Sequence, residues 1–112
     1  MIKRMKGRKV VETYQERPIS SEQDLWDFTH ALDEDEGIRV EGGLNNHTEG
    51  GFIFVGYYRG SYCVNVCDRV WNAKLKRYMA RGNDEWYYFE TADAAYSFTL
   101  KNARLPIHAW LY

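Results

Sequence analysis

The strongest constraint on the fold is a block of aromatic residues between Phe52 and Phe89, which holds eleven of the eighteen aromatic side chains. Within it, the β-branched and aromatic runs Phe52–Tyr58 and Tyr62–Cys67 flank the short segment Arg59-Gly60-Ser61. Two strand-forming runs joined by so short a turn predict an antiparallel β-hairpin. Both faces of Phe52–Tyr58 are apolar, which is typical of a central strand covered on both sides or lying beside a binding surface.

Length and composition predict one folded domain. The chain has 112 residues, of which 45% are hydrophobic and 28% charged, as in ordinary globular proteins. A net charge of -1 does not fit a protein whose main role is to grip a phosphate backbone. No apolar run approaches the roughly 18 residues of a membrane helix, and no apolar segment of a signal peptide follows the basic N-terminus. We therefore expect a cytoplasmic domain over 1–112, with residues 1–8 as a mobile basic arm and no membrane association.

The cysteines and histidines do not form a recognisable catalytic or metal-binding pattern. Cys63 and Cys67 lie on one predicted strand about 13 Å apart, at roughly 3.3 Å per residue, whereas a disulfide needs Cα atoms within about 7 Å. Their spacing is not that of a zinc knuckle. Phosphate-binding loops, nucleophile elbows and zinc-protease motifs are also missing from the sequence. We expect buried thiols in a protein that is not an enzyme and that has no catalytic residues, metal or cofactor.

Two helices are predicted. The first begins with a capping box of Ser20 and Gln23, ends in the acidic run Asp33–Glu36, and has Gly37 as its stop. Its apolar stripe recurs at helical spacing and should be buried against Ile53 or Val55; it comprises Leu25, Phe28 and Leu32. The second helix, Ala92–Asn102, is capped by Thr91, with a packing face of Ala94, Ala95 and Phe98.

The remaining segments complete an α+β fold: an antiparallel sheet of four to six strands with two helices packed on one face. Val70–Arg81 is ambiguous, because its apolar residues also fit a helix; we favour a twisted edge strand protected by lysines. Residues 82–85 should form a turn, and residues 107–112 an extended apolar tail. The other predicted strands are Lys9–Gln15 (stopped by Pro18), Ile38–Glu41 and Trp86–Glu90.

One strand resembles part of a known nucleic-acid-binding family. Gly51–Tyr57 is similar to the third strand of the RNA-recognition motif, in which aromatic residues such as Phe52 and Phe54 stack on bases. The resemblance departs from the motif at Gly50, where a basic residue is expected, and at Ile53, where a small one is. The strand also leads into a hairpin instead of a helix. Single-stranded nucleic-acid binding through Phe52 and Phe54 is therefore the alternative function, and we favour burial of both rings.

A non-enzymatic protein-binding module is the preferred interpretation, of the kind that small inhibitors, immunity proteins and adaptors of bacteria and phages represent. Tyr, Trp and Arg dominate binding hot spots in protein interfaces, and Trp71–Arg81 combines them with positive charge suited to an acidic partner. The acidic run Asp33–Glu36 is either a solvated loop or a second contact patch. The candidate partner-binding residues are Trp71, Lys74, Lys76, Arg77, Tyr78, Arg81, Trp86 and Tyr87.

Overall fold

A computed structural model describes residues 2–3, 12–13, 16–43, 50–80 and 85–112. The elements of these residues are, in chain order, β1 (Ile2–Lys3), β2 (Glu12–Thr13), β3 (Arg17–Ile19), α1 (Glu22–His30), β4 (Gly37–Glu41), β5 (Gly51–Tyr58), β6 (Ser61–Asn72), β7 (Arg77–Ala80), β8 (Glu85–Phe89), α2 (Ala92–Asn102) and β9 (Ala109–Leu111).

The hairpin at the centre of the sheet forms as predicted. Strands β5 and β6 pair antiparallel, from Gly51 opposite Asp68 to Tyr58 opposite Ser61. The two turn residues, Arg59 and Gly60, have positive φ angles of 53° and 79°. Two-residue hairpin turns with positive φ match the right-handed twist of the flanking strands. Strand β5 also pairs with β4, so the doubly apolar strand is central.

The fold is α+β with an antiparallel sheet, but the sheet is larger than predicted. Among the described residues it has seven strands in the order β3-β9-β4-β5-β6-β7, with β8 also paired to β6, and β1 and β2 form a separate pair. Strand β6 is twelve residues long, so its first half pairs with β8 and its second half with β7. The additional strands, β3 and β9, lie at the other side of the sheet.

The predicted C-terminal tail is part of this sheet. Strand β9 lies between β3 and β4 and pairs antiparallel with both. The alternation of its side chains explains the placement, since Ala109 and Leu111 are buried in the core while Trp110 faces the other way. Pro18, which was predicted to stop the preceding strand, lies itself within β3, opposite Trp110. Proline is tolerated there because β3 is an edge strand, where the missing N–H need not pair.

Helix α1 begins one residue later than the sequence predicts, and it ends earlier. Its N-cap is Ser21, whose hydroxyl accepts a hydrogen bond from the Asp24 N–H at 3.1 Å, so the predicted capping box at Ser20 is wrong. Gln23 donates to Asp27 instead, at 3.0 Å. The helix ends at His30 because an acidic run opposes the helix macrodipole.

Gly37 is not a helix stop but the first residue of β4. Its N–H donates to the Tyr112 carbonyl at 2.9 Å, and the Tyr112 N–H donates back at 2.8 Å. A Cβ at Gly37 would come within 2.8 Å of the Tyr112 ring. Sheet pairing therefore fixes Gly37 in an extended conformation, which a continued helix would prevent.

Residues from both helices and the sheet share one hydrophobic core. Leu25 of α1, Leu32 just after it and Ala95 of α2 belong to the same buried cluster as Ile53 and Val55, which confirms the burial predicted for the first two. Phe28 is only partly buried. The predicted packing face of α2 is partly wrong, since Ala94 is exposed. Helix α2 itself has the predicted bounds and its predicted cap, Thr91.

The ambiguous segment Val70–Arg81 is neither a helix nor a single edge strand. It forms a second hairpin, in which the end of β6 and β7 are joined by the turn residues 73–76. Asn72 organises the turn, because its side chain accepts from the Leu75 N–H at 2.9 Å and its carbonyl from the Lys76 N–H at 2.7 Å. The predicted turn at 82–85 lies outside the described residues except Glu85, which begins β8. Most of the predicted arm 1–8 and of the strand Lys9–Gln15 also lies outside them, although Ile2–Lys3 of the arm pairs with Glu12–Thr13.

Candidate binding groove

One face of the sheet carries a cavity of about 490 Å³, here called the aromatic groove. Its lining combines five aromatic rings with three arginines and is formed by Arg39, Glu41, Phe52, Phe54, Arg69, Trp71, Arg77, Tyr78, Met79 and Trp110. The volume lies within the range of roughly 300–1,000 Å³ that is usual for ligand-binding clefts.

Strand register brings these side chains together. Trp110 of β9 lies opposite Arg39 of β4, which in turn lies opposite Phe54 of β5. Directly opposed residues of antiparallel strands project from the same face, so the three form a row across the sheet. A second row is contributed by the β6–β7 hairpin, in which Trp71 lies opposite Tyr78.

Arginine side chains lie over the aromatic rings of the groove. The Arg39 guanidinium is 4.7 Å from the centre of the Trp110 ring and 5.9 Å from that of Phe52. The Arg69 guanidinium is 4.1 Å from the centre of the Tyr78 ring. Such cation–π contacts contribute about 0.5–1 kcal/mol at exposed sites and more when desolvated. They hold both guanidinium groups in defined positions within the groove.

Two carboxylates accompany these arginines. Glu16 accepts two hydrogen bonds from Arg39, at 3.2 and 2.9 Å, a bidentate geometry that fixes the plane of the guanidinium. Glu41 is more distant from Arg69, with 3.8 Å between the nearest charged atoms. Glu16 lies next to the groove and not in its lining, so the three arginines of the lining face a single carboxylate within it.

The aromatic side chains of the groove are more buried on β5 than on the β6–β7 hairpin. Phe52 is only 9% exposed, whereas Trp71 is 51% and Tyr78 42% exposed, with their rings in an edge-to-face contact at 5.2 Å. The predicted burial is therefore confirmed for Phe52 and wrong for Phe54, which is partly exposed. Phe54 lies between the aromatic groove and a neighbouring cavity, so it is not fully covered.

The predicted partner-binding residues are only partly brought together. Trp71, Arg77 and Tyr78 line the groove. Lys74 and Lys76 are exposed on the adjacent turn. Arg81 lies outside the described residues.

The two predicted residues on β8 lie away from the groove and from each other. Trp86 lines a neighbouring cavity of about 330 Å³, together with Phe54 and the acidic residues 34–36. Tyr87 projects from the other face of β8 and packs against Phe98 of α2, with 4.6 Å between ring centres. The hydrogen bond that Tyr87 donates to Glu85, with burial and the charge of Glu85 adding to it, raises the pKa of this tyrosine. Tyr87 is therefore part of the packing around α2 and not of the groove.

The lining residues that the sequence-based prediction leaves out include Arg39, Arg69 and Trp110. The alternation of apolar and charged residues in β4 does place Arg39 on the face opposite the core. The same alternation places Trp110 opposite Ala109 and Leu111. No local pattern, however, indicates that these strands are neighbours, so the sequence gives the face of each side chain without its partner.

The described residues contain no group of three or more His, Cys, Asp or Glu side chains arranged to hold a metal ion. Cys63 and Cys67 are free thiols, partly and fully buried respectively. No helix in the described part of the chain is long and apolar enough to cross a membrane.

Comparison with protein-family models, with curated proteins and with solved structures finds no match to this chain. The function must therefore be inferred from the geometry of the groove.

Proposed function

We propose that this protein is a protein-binding module whose aromatic groove takes up an acidic and apolar segment of a partner. The observation that carries the proposal is the grouping of five aromatic rings and three arginines around one open cavity of about 490 Å³. Trp, Tyr and Arg are the residues enriched in binding hot spots. The arginines provide the charge that an acidic partner complements, and the rings provide the apolar surface.

The position of the groove on the sheet supports this assignment. We infer that both helices cover the face of the sheet that carries Val55, because Leu25 of α1 and Ala95 of α2 join its buried cluster. Neither helix then covers the opposite face, on which Trp71 and Tyr78 are exposed. Large exposed aromatic side chains grouped on one face mark interaction surfaces more often than scattered ones do.

The kind of module is a further part of the proposal. A single small domain without a recognised catalytic motif acts most simply by stoichiometric binding, as small inhibitors, immunity proteins and adaptors of bacteria and phages do. We propose that it is not an enzyme and that it works in the cytoplasm. This class is a proposal from the size and binding surface of the domain.

Single-stranded nucleic acid is the second candidate ligand, because Phe52 and Phe54 lie in the same groove as Arg39. Base stacking needs an open ring face, however, and Phe52 is nearly buried. Arginines already lie over the rings of Tyr78 and Trp110. The groove therefore favours a protein segment, whose carboxylates can bind the edges of the guanidinium groups.

Selection from a random peptide library, followed by NMR, tests the proposal. Peptides enriched by the immobilised protein should carry Asp or Glu beside apolar residues. Adding such a peptide should shift the indole signals of Trp71 and Trp110, which line the groove, and leave that of Trp26 on α1 unchanged. Enrichment without acidic residues, or shifts confined to Trp26, would refute the assignment.

Paired substitutions then test the location. Replacing Arg77 and Tyr78 together with Ala should weaken peptide binding by more than roughly tenfold. The thermal midpoint should stay nearly unchanged, since both side chains are exposed. The matched control is Tyr58→Ala with Arg59→Asn, which removes another exposed Arg–Tyr contact, 5.0 Å apart. Asn suits the positive φ of Arg59. An equal loss in the control would place the binding surface elsewhere.

The same variants distinguish the two ligand classes. A labelled single-stranded oligonucleotide that binds more tightly than the selected peptides, with a steep loss of affinity as salt rises, would favour nucleic acid over protein.

A further inference from the structure

A second cavity of about 240 Å³ adjoins the aromatic groove and is here called the basic cavity. Its lining joins the start of β5 to the end of α2 and consists of Glu41, Gly42, Gly43, Gly50, Gly51, Arg69, Lys101, Asn102, Ala103 and Arg104. Arg69 and Glu41 also line the aromatic groove, so the two cavities are neighbours that share this pair.

Positive charge predominates in the basic cavity. Among the described residues of its lining, Arg69, Lys101 and Arg104 accompany one carboxylate, Glu41. The Arg69 side chain is only 10% exposed, and its nearest charged atom lies 3.8 Å from the Glu41 carboxylate. Within the part of the chain that the structure describes, Lys101 and Arg104 have no ion-pair partner, and both are exposed. An anion in this cavity would therefore meet three cationic groups at once.

Backbone packing fixes the walls of the basic cavity. The Gly43 N–H donates to the Asn102 carbonyl at 3.0 Å, and the Arg104 N–H donates to the Glu41 carbonyl at 2.8 Å. These bonds hold the end of α2, which carries Lys101, and the following residue Arg104 against the sheet. Gly42 is required by the close approach, because a Cβ there would lie 2.4 Å from the Asn102 oxygen. The wall therefore carries no side chain at this point.

We infer that the basic cavity binds a phosphate monoester carried by a side chain of the protein partner. This inference rests on the proposed function, since the rest of the partner segment would occupy the adjoining aromatic groove. A phosphate monoester carries a charge of about -1.5 to -2 near pH 7, which matches the excess of positive charge. Arginine recognises phosphate through parallel N–H donors, and Arg69 is held in place by its contact with the Tyr78 ring.

Inorganic phosphate is the first probe, titrated into the ¹⁵N-labelled protein at constant ionic strength. The amide signals of Gly43, Gly50 and Arg104 should shift saturably. Binding should weaken as the pH falls through the second pKa of inorganic phosphate, where the dianion gains a proton. Sulfate, which keeps its charge, should bind equally well on both sides of that pH. Phosphate that causes no saturable shift at these amides would overturn the inference.

A pair of double variants tests the cationic groups. Lys101→Gln with Arg104→Gln should weaken phosphate binding by at least roughly tenfold. The matched control, Lys74→Gln with Lys76→Gln, removes two exposed lysines from the turn beside the aromatic groove and should leave phosphate affinity unchanged. An equal effect in the two variants would mean that phosphate responds only to net charge, and would refute a defined cavity.

The source of the phosphate is tested with a selected groove-binding peptide that carries phosphoserine at each position in turn. One position should gain at least roughly tenfold in affinity over its unphosphorylated form, and Lys101→Gln with Arg104→Gln should abolish that gain. If the peptide binds the groove but no position gains, the proposed function stands and this inference fails. If phosphate binds but no peptide does, the proposed function fails. If adenosine monophosphate binds more tightly than every phosphopeptide, a protein-borne phosphate is the wrong ligand.

Discussion

Each helix carries one buried threonine, Thr29 in α1 and Thr99 in α2. We expect the same substitution at these two positions to change the free energy of unfolding in opposite directions. Thr29 is 1% and Thr99 0% exposed. The Thr29 hydroxyl donates to the Leu25 carbonyl at 2.7 Å. The Thr99 hydroxyl, although fully buried, has no hydrogen-bond partner within the described residues. Thr→Val replaces the hydroxyl with a methyl group of similar shape and keeps the β-branched side chain, so backbone propensity changes little.

The expected free energies of unfolding follow from these contacts. Thr29→Val removes a hydrogen bond and should destabilise the protein by about 1 kcal/mol, the usual net contribution of one such bond. Thr99→Val removes a buried group whose desolvation nothing offsets, which costs about 1–3 kcal/mol in the wild type. It should therefore stabilise the protein by about 1 kcal/mol or more. The two variants should differ by roughly 2 kcal/mol, since the two effects have opposite signs.

Urea denaturation followed by tryptophan fluorescence measures both variants on one scale. The transition midpoints should move in opposite directions while the slope of free energy against urea stays constant, because the surface exposed on unfolding is unchanged. A Thr99→Val variant that loses as much stability as Thr29→Val would refute the reasoning, because the Thr99 hydroxyl must then form a hydrogen bond in solution.

Two further predictions concern the core and the contact between the helices. Leu32→Ala should lower the free energy of unfolding by about 2–5 kcal/mol, because the side chain is 5% exposed in the main cluster; an unchanged urea midpoint would show that this residue does not anchor the core. His30 lies between two acceptors, the Trp26 carbonyl at 2.8 Å and the Asp93 carboxylate at 2.5 Å, and both ring nitrogens can donate only when the ring is protonated. Desolvation lowers the pKa of His30, but the hydrogen bonds to Asp93 and Trp26 and the nearby carboxylate charges outweigh it and raise the pKa above its ordinary value. The stabilisation is therefore complete below the ordinary pKa and is lost as the pH rises through the raised one. The difference in melting temperature between the wild type and Asp93→Asn should therefore shrink as the pH rises from below the ordinary histidine pKa of 6.5 through the raised pKa of His30. The corresponding difference for Asp24→Asn, which removes an acid from the first turn of the other helix, should stay constant.

Several elements could be predicted because their signals are local. The short turn at Arg59-Gly60 between two strand-forming runs determines the β5–β6 hairpin, since the turn residues and the strands that they join are adjacent in the chain. Thr91 determines the start of α2 because a side-chain cap acts within three residues, as its hydrogen bond to the Ala94 N–H shows. At the start of α1 two serines compete for the cap, and the sequence alone favours the wrong one.

The aromatic groove shows why the sequence predicts some residues of a binding site correctly and others wrongly. Trp71, Arg77 and Tyr78 belong to one hairpin, so proximity in sequence correctly grouped them. The sequence also groups Trp86 and Tyr87 with this patch, because they are aromatic and near in sequence. Successive residues of a strand point to opposite faces, and Tyr87 therefore packs against α2 instead.

The sequence by itself determined the fold class, the central hairpin, the bounds of α2 and the face on which most strand residues lie. Periodicity, caps and turns act over a few residues, so these features are local. Tertiary structure alone decided that β9 pairs between β3 and β4, that Gly37 begins a strand, and that Trp110 and Arg39 meet Phe54 in one groove. Those contacts join distant parts of the chain, and their free energy comes from burying surfaces that no local pattern identifies as complementary.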